Sequence, residues 1–548
     1  MSIDPIAELK ASLAASVESI GGSRSAEPSF EQPRRAEQGD YSTNAAMLLA
    51  AGLGGPPRNI AESLGSDFAT RLGPSAERVE VAGPGFLNIF LSDAWYRQSV
   101  ARIVADRSFG AGDRRSPAIL LEFVSANPTG PLTAAGGRGA AYGDSLARVL
   151  SLAGHEVSRE YYVNDAGTQI RAFAASIAAR MTGTKVPDDG YAGSYVGDLA
   201  DELSAGGAAA DDLEVLTQRG VEAMRSRIQA TLERFGVRFD TWASERELHE
   251  RNALGTTLEI LGEAGHTYES DGALWLRTSG WGDDKDRVLV RSGGEPTYFA
   301  ADIAYHRDKL ERGAEQMVVP LGADHHGYVP RMKAAVGMLT GEPDRYEAPI
   351  MQLVNVVERG ERARMSKRKG EFVTLDELID DIGADAARFF LLWRSNDTVI
   401  DLDLDLARSE SQENPVYYVQ YAHARIASIL RKAQDEADER APRGNADSSA
   451  TLDVPCEMSE RALLRRLMEL PREVELAADR RAPHRICAYA QAVASDFHAF
   501  YRDCKVVGAD TDTGINGAEA ARLGVCLASM KVIGECLSLL GVSAPQRM

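Results

Sequence analysis

The chain has 548 residues, more than one ordinary core organises, so three or four domains of roughly 100–200 residues are expected. With 44% hydrophobic and 26% charged residues and a mean hydropathy of −0.25, it reads as a soluble globular protein, and no apolar run approaches the ~20 residues that span a bilayer. A net charge of −20 argues against a nucleic-acid partner, since phosphate contacts need Lys and Arg, unless a local basic patch overrides the average.

Residues 1–20 carry helical spacing (Ile6, Leu9, Leu13, Val17) and early acids. They lack the regions of a signal peptide, so an amphipathic helix and a cytoplasmic protein are expected. After a loop over 21–38, helical patterns alternate with short strands, and Val79–Leu91 has strand character around a Pro-Gly turn. A small α/β domain over 1–105 follows, then a linker over Asp106–Pro117. Ala118–Val124 is a nearly continuous apolar run, as in a strand buried on both faces of a parallel sheet. A helix over Gly137–Leu152 and a strand over Glu156–Val163 complete a β-α-β unit that opens a doubly wound sheet. A helix-rich insertion of low sheet character spans about 166–265, and strands return at Arg287–Val290 and Gln316–Pro320. The α/β unit runs over 118–375 and an all-α unit over 376–548. The latter has a helix over Glu413–Ala433, a polar loop over Asp438–Pro455 and amphipathic helices at about 459–478, 483–502 and 517–540. All five cysteines (456, 487, 504, 526 and 536) lie in that last unit without C-x-x-C spacing, and read as buried thiols in a reducing compartment, with no structural metal.

Four segments carry candidate chemistry. The loop from Glu122 through Asn127 to Gly139 follows the first buried strand, where open parallel sheets bind ligands and helix starts attract phosphate; a plain Gly-rich turn reads as well. Tyr298 and Asp302 stand one helical turn apart, suited to a cationic ligand or simply to a wet helix face. Glu122 sharpens the first reading: a carboxylate in an apolar strand is costly alone and calls for a cation, an internal Arg or the ligand. Asp324, His325 and His326 follow another apolar strand and suit a nucleotide better than a metal, because no further spaced ligands accompany them. Arg362, Arg364, Lys367, Arg368 and Lys369 form a short basic run apt for polyphosphate or for an RNA backbone.

In order and texture these segments resemble the arginyl-tRNA synthetases of the bacterial type, and the resemblance covers about residues 5–548. GDYSTNAAM (39–47) and VAGPGFLNIFL (81–91) resemble that family's N-terminal domain. REYYVNDAGTQI (159–170), the stretch 272–306, LGADHHGYVPRMKAA (321–335) and the stretch 364–392 resemble successive catalytic blocks. ENPVYYVQYAHARI (413–426) and the terminal GVSAPQRM resemble the helical anticodon-binding domain.

The resemblance implies a class I Rossmann-like catalytic domain and a cytoplasmic, monomeric arginine–tRNA ligase. It activates L-arginine with ATP and Mg2+ to arginyl-adenylate and transfers the arginyl group to tRNA(Arg). Glu122 and Asp302 match the guanidinium-binding acids, Tyr298 the pocket tyrosine and Asn127, with Ser125 beside it, the asparagine near the substrate's α-substituents. Met365, Ser366 and Lys367 match the K-M-S-K loop, with Arg364 in place of its first lysine. Gly137, Arg138, Asp324, His325, His326 and Lys367 fall to ATP; Phe86, Asn88, Arg368, Lys369, Tyr418 and Tyr421, with Tyr417 beside them, fall to tRNA, the tyrosines being equally suited to the helix core. The H-x-G-H signature is replaced by Thr133, Ala134, Ala135 and Gly136. Losing one preorganised donor commonly costs ~2.7–4 kcal/mol at a transition state, so slowed adenylation is expected, with the Thr133 hydroxyl and the Gly136 and Gly137 amides left to face the phosphate. Two alternatives follow from that loss: a repurposed paralogue activating arginine for a non-tRNA acceptor in specialised metabolism, and a non-catalytic binder of arginine or tRNA acting as a regulator.

Overall fold

The computed structural model describes residues 3–22, 28–33, 35–362, 373–439 and 454–548. Asp4 caps the helix Pro5–Ser19 by accepting from the Ile6 and Ala7 amides. Ile6, Leu9, Leu13 and Val17 then recur at helical spacing and bury one face against the helix Pro57–Leu72. The helix Pro57–Leu72 in turn packs on an antiparallel sheet ordered Tyr41–Thr43, Phe86–Leu91, Ala76–Ala82, whose hairpin turns at Pro84-Gly85 as expected. The helix Asp93–Ala105 closes this unit.

The central sheet is wholly parallel, in the order Tyr346–Glu347, Gln316–Val318, Arg115–Glu122, His155–Val163, Thr241–Ser244. Its first crossover is the helix Ala134–Leu152. That helix lies so close to the sheet that a Cβ on Gly143 would sit 2.1 Å from Phe123 Cγ.

Three differences from the sequence reading have physical causes. The insertion expected over 166–265 is helix-rich, with its own core of Phe173, Ile177, Leu199 and Met224 and helices continuing at Glu245–Glu250 and Ala253–Glu263, but Thr241–Ser244 within it is the edge strand of the main sheet. Arg287–Val290 joins a separate antiparallel sheet with Thr267–Ser270 and Ala273–Leu276. The strand Val354–Glu358 pairs in parallel with Ile400–Asp403, so sheet structure crosses the 375/376 division.

The C-terminal unit packs Pro415–Glu439, Met458–Met468, Leu470–Asp479, His484–Asp503 and Ala518–Leu540. The helix expected over 459–478 is two, because Pro471 lacks the amide needed to continue the first. Ala518–Leu540 is long and apolar enough to cross a bilayer by composition, unlike the expectation of no such run, but it lies against the helices His484–Asp503 and Pro415–Glu439, and 56% of its apolar window is buried in this core. The cysteines are free; Cys487, Cys504, Cys526 and Cys536 are buried and Cys456 half-buried.

Two buried arginines tie the units together. Arg388 bonds Asp144 at 2.6 Å and the Leu540 and Phe235 carbonyls at 2.9 Å, joining sheet crossover, insertion and C-terminal helix. Arg97 pairs with Glu460 and donates to the Val454 and Pro455 carbonyls, joining the first unit to the last. Breaking either pair leaves a buried charge, at a cost of ~3–5 kcal/mol.

Candidate active site

Where the strand Arg115–Glu122 ends, the chain leaves the sheet by a turn that sets Val124 at φ 69° and Ser125 at φ 41°. The left-handed region is costly for a β-branched residue, on the order of 1–3 kcal/mol, and persists only where neighbours enforce it. Here they do: the Ser125 amide donates to the Phe123 carbonyl (3.0 Å), the Tyr162 amide to Ser125 Oγ (3.1 Å) and the Tyr161 hydroxyl to the Ala126 carbonyl (2.8 Å). The turn aims Ser125 back at the strand end, where its hydroxyl donates to Glu122 Oε1 at 2.8 Å.

Glu122 is buried, and its cationic partner is an internal lysine, Lys309, which is fully buried on the helix Tyr298–Glu311 and also lies over the Tyr305 ring. The same helix brings Asp302 into this space, where the Tyr328 hydroxyl donates to its carboxylate. Burial pushes the Asp302 carboxyl up to about 7; Tyr328 and Lys309 oppose this, while Glu122 and Glu245 add to it. Glu245, which the sequence reading did not single out, follows the edge strand Thr241–Ser244 and acts on the Tyr162 hydroxyl. Burial, together with Glu245, Asp302 and Glu122, raises the Tyr162 hydroxyl well above its ordinary range. Glu122, Glu245 and Asp302 thus share one region with the ammonium of Lys309. Arg312, one turn further along, is already engaged by Glu160 and Asp308. An excess of carboxylate at the carboxyl end of a parallel sheet is a cation site.

Tyr298 opens its helix and is 78% exposed, at the rim rather than against Asp302. Asn127 is half-buried and donates to Gln169 Oε1 at 2.6 Å.

On the phosphate side, Thr133 caps the helix Ala134–Leu152 by accepting the Gly136 amide at 3.1 Å, leaving its own proton free to donate. The Gly137 amide bonds the Thr133 carbonyl and the Ala134 amide the Val373 carbonyl, so the start of this helix is anchored to the segment that leads into the helix Leu375–Leu392. Thr133 and Thr374 form an antiparallel bridge, and Thr374 caps the helix Leu375–Leu392. Met365, Ser366, Lys367, Arg368 and Lys369 lie outside the described residues, but the chain re-enters them at Val373, beside Thr133. Asp324, His325 and His326 stand exposed on the 3-10 turn Ala323–Tyr328, without a group of three metal-ligating side chains among the described residues. Arg138 is buried and donates to the Gln352 (2.7 Å) and Ser395 (2.8 Å) carbonyls, and burial lowers it to about 10. Its place is that of a brace beneath the site.

Of the residues expected at tRNA, Phe86 is 37% exposed and Asn88 is buried, accepting from Ser42 Oγ at 3.1 Å. Tyr417 and Tyr421 are half-buried and stack on each other, Tyr418 and Tyr421 pack on His498, and Arg425 bonds the Tyr421 hydroxyl at 2.8 Å.

Three protein families match successive parts of the chain: "Arginyl tRNA synthetase N terminal domain" over 7–91, "tRNA synthetases class I (R), catalytic domain" over 100–405 and "DALR anticodon binding domain" over 419–548. The chain is 46% identical to an arginine–tRNA ligase of Frankia alni, over 94% of both chains. It is 45% identical to one of Desulforudis audaxviator, over 94% of this chain and 93% of the relative. Its fold matches the arginyl-tRNA synthetase of Thermus thermophilus with a TM-score of 0.77 at 23% identity, over 99% of each chain.

Proposed function

The chain belongs to the arginyl-tRNA synthetases and is a class I arginine–tRNA ligase, and on that premise we propose how its residues divide the work. The observation that carries the division is the surplus of carboxylate over ammonium at the end of the strand Arg115–Glu122. Asp302 and Glu122 accept the paired hydrogen bonds of the substrate's planar guanidinium, and Tyr298 closes over it from the rim. Lysine, a point charge, leaves part of this site unpaired and is rejected. Asn127 and Ser125 hold the α-substituents.

The arginine carboxylate attacks the α-phosphorus of ATP, which enters with Mg2+ as substrate, and pyrophosphate leaves. The Thr133 hydroxyl and the positive end of the helix Ala134–Leu152 face the charge growing on the α-phosphate, while the Ala134, Gly136 and Gly137 amides are engaged within the protein. Lys367 and Ser366, with Met365, act on the pyrophosphate as the K-M-S-K loop they resemble does. Asp324, His325 and His326 line the nucleotide's outer side, and Arg138 supports it from below. In the second step the terminal 2′-hydroxyl of tRNA(Arg) attacks the mixed anhydride and AMP leaves. Residues 1–105 hold the tRNA body through Phe86, with the buried Asn88 bracing the strand beneath it, and 118–375 carry activation, with the strand Ile400–Asp403 lent back from the stem. Residues 376–548 read the anticodon through Tyr418 and Tyr421, and Arg368 and Lys369 meet the tRNA backbone. The protein works as a monomer in the cytoplasm. No likeness favours the repurposed or regulatory alternative.

Arginine-dependent ATP–pyrophosphate exchange, with and without tRNA(Arg), tests this reading. Exchange that requires tRNA supports it. Exchange indifferent to tRNA favours a different acceptor, and arginine binding without exchange favours a regulator.

A further inference from the structure

Both oxygens of Glu122 are already engaged within the protein, Oε1 by the Ser125 hydroxyl and Oε2 by Lys309. Lys309 has no exposed surface, and its ammonium lies over the face of the Tyr305 ring. Burying an ammonium beside a pocket for a cationic substrate is costly and sets up repulsion, so a purely structural role is better served by an apolar side chain. With Lys309 in place, Glu122, Glu245 and Asp302 still outnumber the ammonium, a surplus of carboxylate that a guanidinium can meet. We propose that Lys309 is a positioning residue for arginine: it locks Glu122 in one orientation and reduces the pocket's surplus of negative charge so that the acids stay poised for the guanidinium. This inference rests on the reading of the acids as the arginine site.

The groups around it fit the role. Tyr305 and Asp302 share the helix of Lys309, as does His306, which burial and then Lys309 keep neutral and whose Nδ1 bonds the Asp302 carbonyl at 2.8 Å. Glu245 acts on Asp302 from the edge strand's side, and Tyr346 on the opposite edge strand feels both Glu122 and Asp302. Lys309 is the cation that offsets the acids' push on Asp302.

The test compares Lys309→Met, Lys309→Arg and Lys309→Ala with the unaltered protein in pyrophosphate exchange, supplying tRNA(Arg) throughout. In Lys309→Met, KM for arginine is expected to rise about tenfold or more while KM for ATP stays within about twofold, a split that general loosening does not produce. The acid limb of kcat/KM for arginine should move up by about one pH unit, because Asp302 loses its opposing cation. Lys309→Arg should recover both within about threefold, and ethylamine, but not ethanol, should restore part of the lost activity to Lys309→Ala. Equal effects on both KM values, an unmoved acid limb, or unchanged kinetics would overturn the proposal. Should Lys309→Met not fold, failure of Lys309→Arg to retain the arginine KM, together with indifference of Lys309→Ala to ethylamine, overturns it. Absence of arginine-dependent exchange in the unaltered protein refutes the assignment of the site instead.

Discussion

At the end of the strand Arg115–Glu122, three carboxylates, an ammonium and the phenols of Tyr162 and Tyr328 crowd one space; a loop further on, the helix start at Thr133–Gly137 offers one hydroxyl and the positive end of the helix backbone. The amino-acid side is thus made of interlocked side chains, and the phosphate side of backbone. Changes on the first should act nearly all-or-none through buried charge. Changes on the second should be graded and open to repair, since most of what it presents belongs to the helix itself.

The largest expected effect is that of Asp302→Asn. Truncating one partner of a desolvated charge pair commonly costs roughly 3–4 kcal/mol, so kcat/KM for arginine in pyrophosphate exchange should fall ~10²–10³-fold. A loss of less than about tenfold would break the contrast at its stronger end. Lys367→Ala comes next: kcat should drop about 10²-fold with KM for arginine little changed, as for loss of a group acting in the transition state. The double change Thr133→His with Gly136→His should raise exchange about tenfold, since a Cβ on Gly136 meets its nearest atoms only at 3.7 and 3.8 Å. Loss of the Thr133 cap should lower stability by about 1 kcal/mol in the same protein, seen as a lower Tm. No gain in exchange would mean that the missing imidazoles do not limit the reaction.

The smallest effect concerns pH. The Asp302 carboxyl stands at about 7, so cation binding weakens as it takes up a proton, and KM for arginine should rise about threefold from about pH 7.5 to about pH 6.5. The sign for stability is opposite in the unliganded protein. A carboxyl raised by burial contributes stability that is complete below its unfolded value and is lost as pH rises through about 7, so arginine should raise Tm more on the alkaline side. Equal arginine-induced shifts on both sides would remove Asp302 from the binding event.

Glu122 was legible in the sequence because a carboxylate breaks an apolar run; Glu245 was not, because in Glu245-Arg246-Glu247 it looks like the acidic first turn of any helix. Only the pairing of Thr241–Ser244 with the sheet brings it to the pocket, and four residues without an apolar run give no signal of a strand. Lys309 sits in the charged stretch Arg307–Arg312, where nothing marks one cation as buried. Arg138 shows the converse: in a Gly-Arg-Gly loop it reads as a phosphate ligand, yet the carbonyls that hold it come from residues more than two hundred positions away. The layered order of the domains, by contrast, followed from local patterning, as the hairpin at Pro84-Gly85 and the crossover helix Ala134–Leu152 illustrate.

Gly143 has a consequence for tolerance in the machinist's sense. With a Cβ there meeting Phe123 Cγ at 2.1 Å, the helix rests on the sheet with less clearance than a methyl group needs, and Phe123 is the neighbour of Glu122. The depth at which the carboxylate stands is therefore gauged by a missing carbon atom on an element that carries no charge into the pocket. A single methyl at that point moves the gauge, and every fit downstream of it, without altering any group that touches substrate.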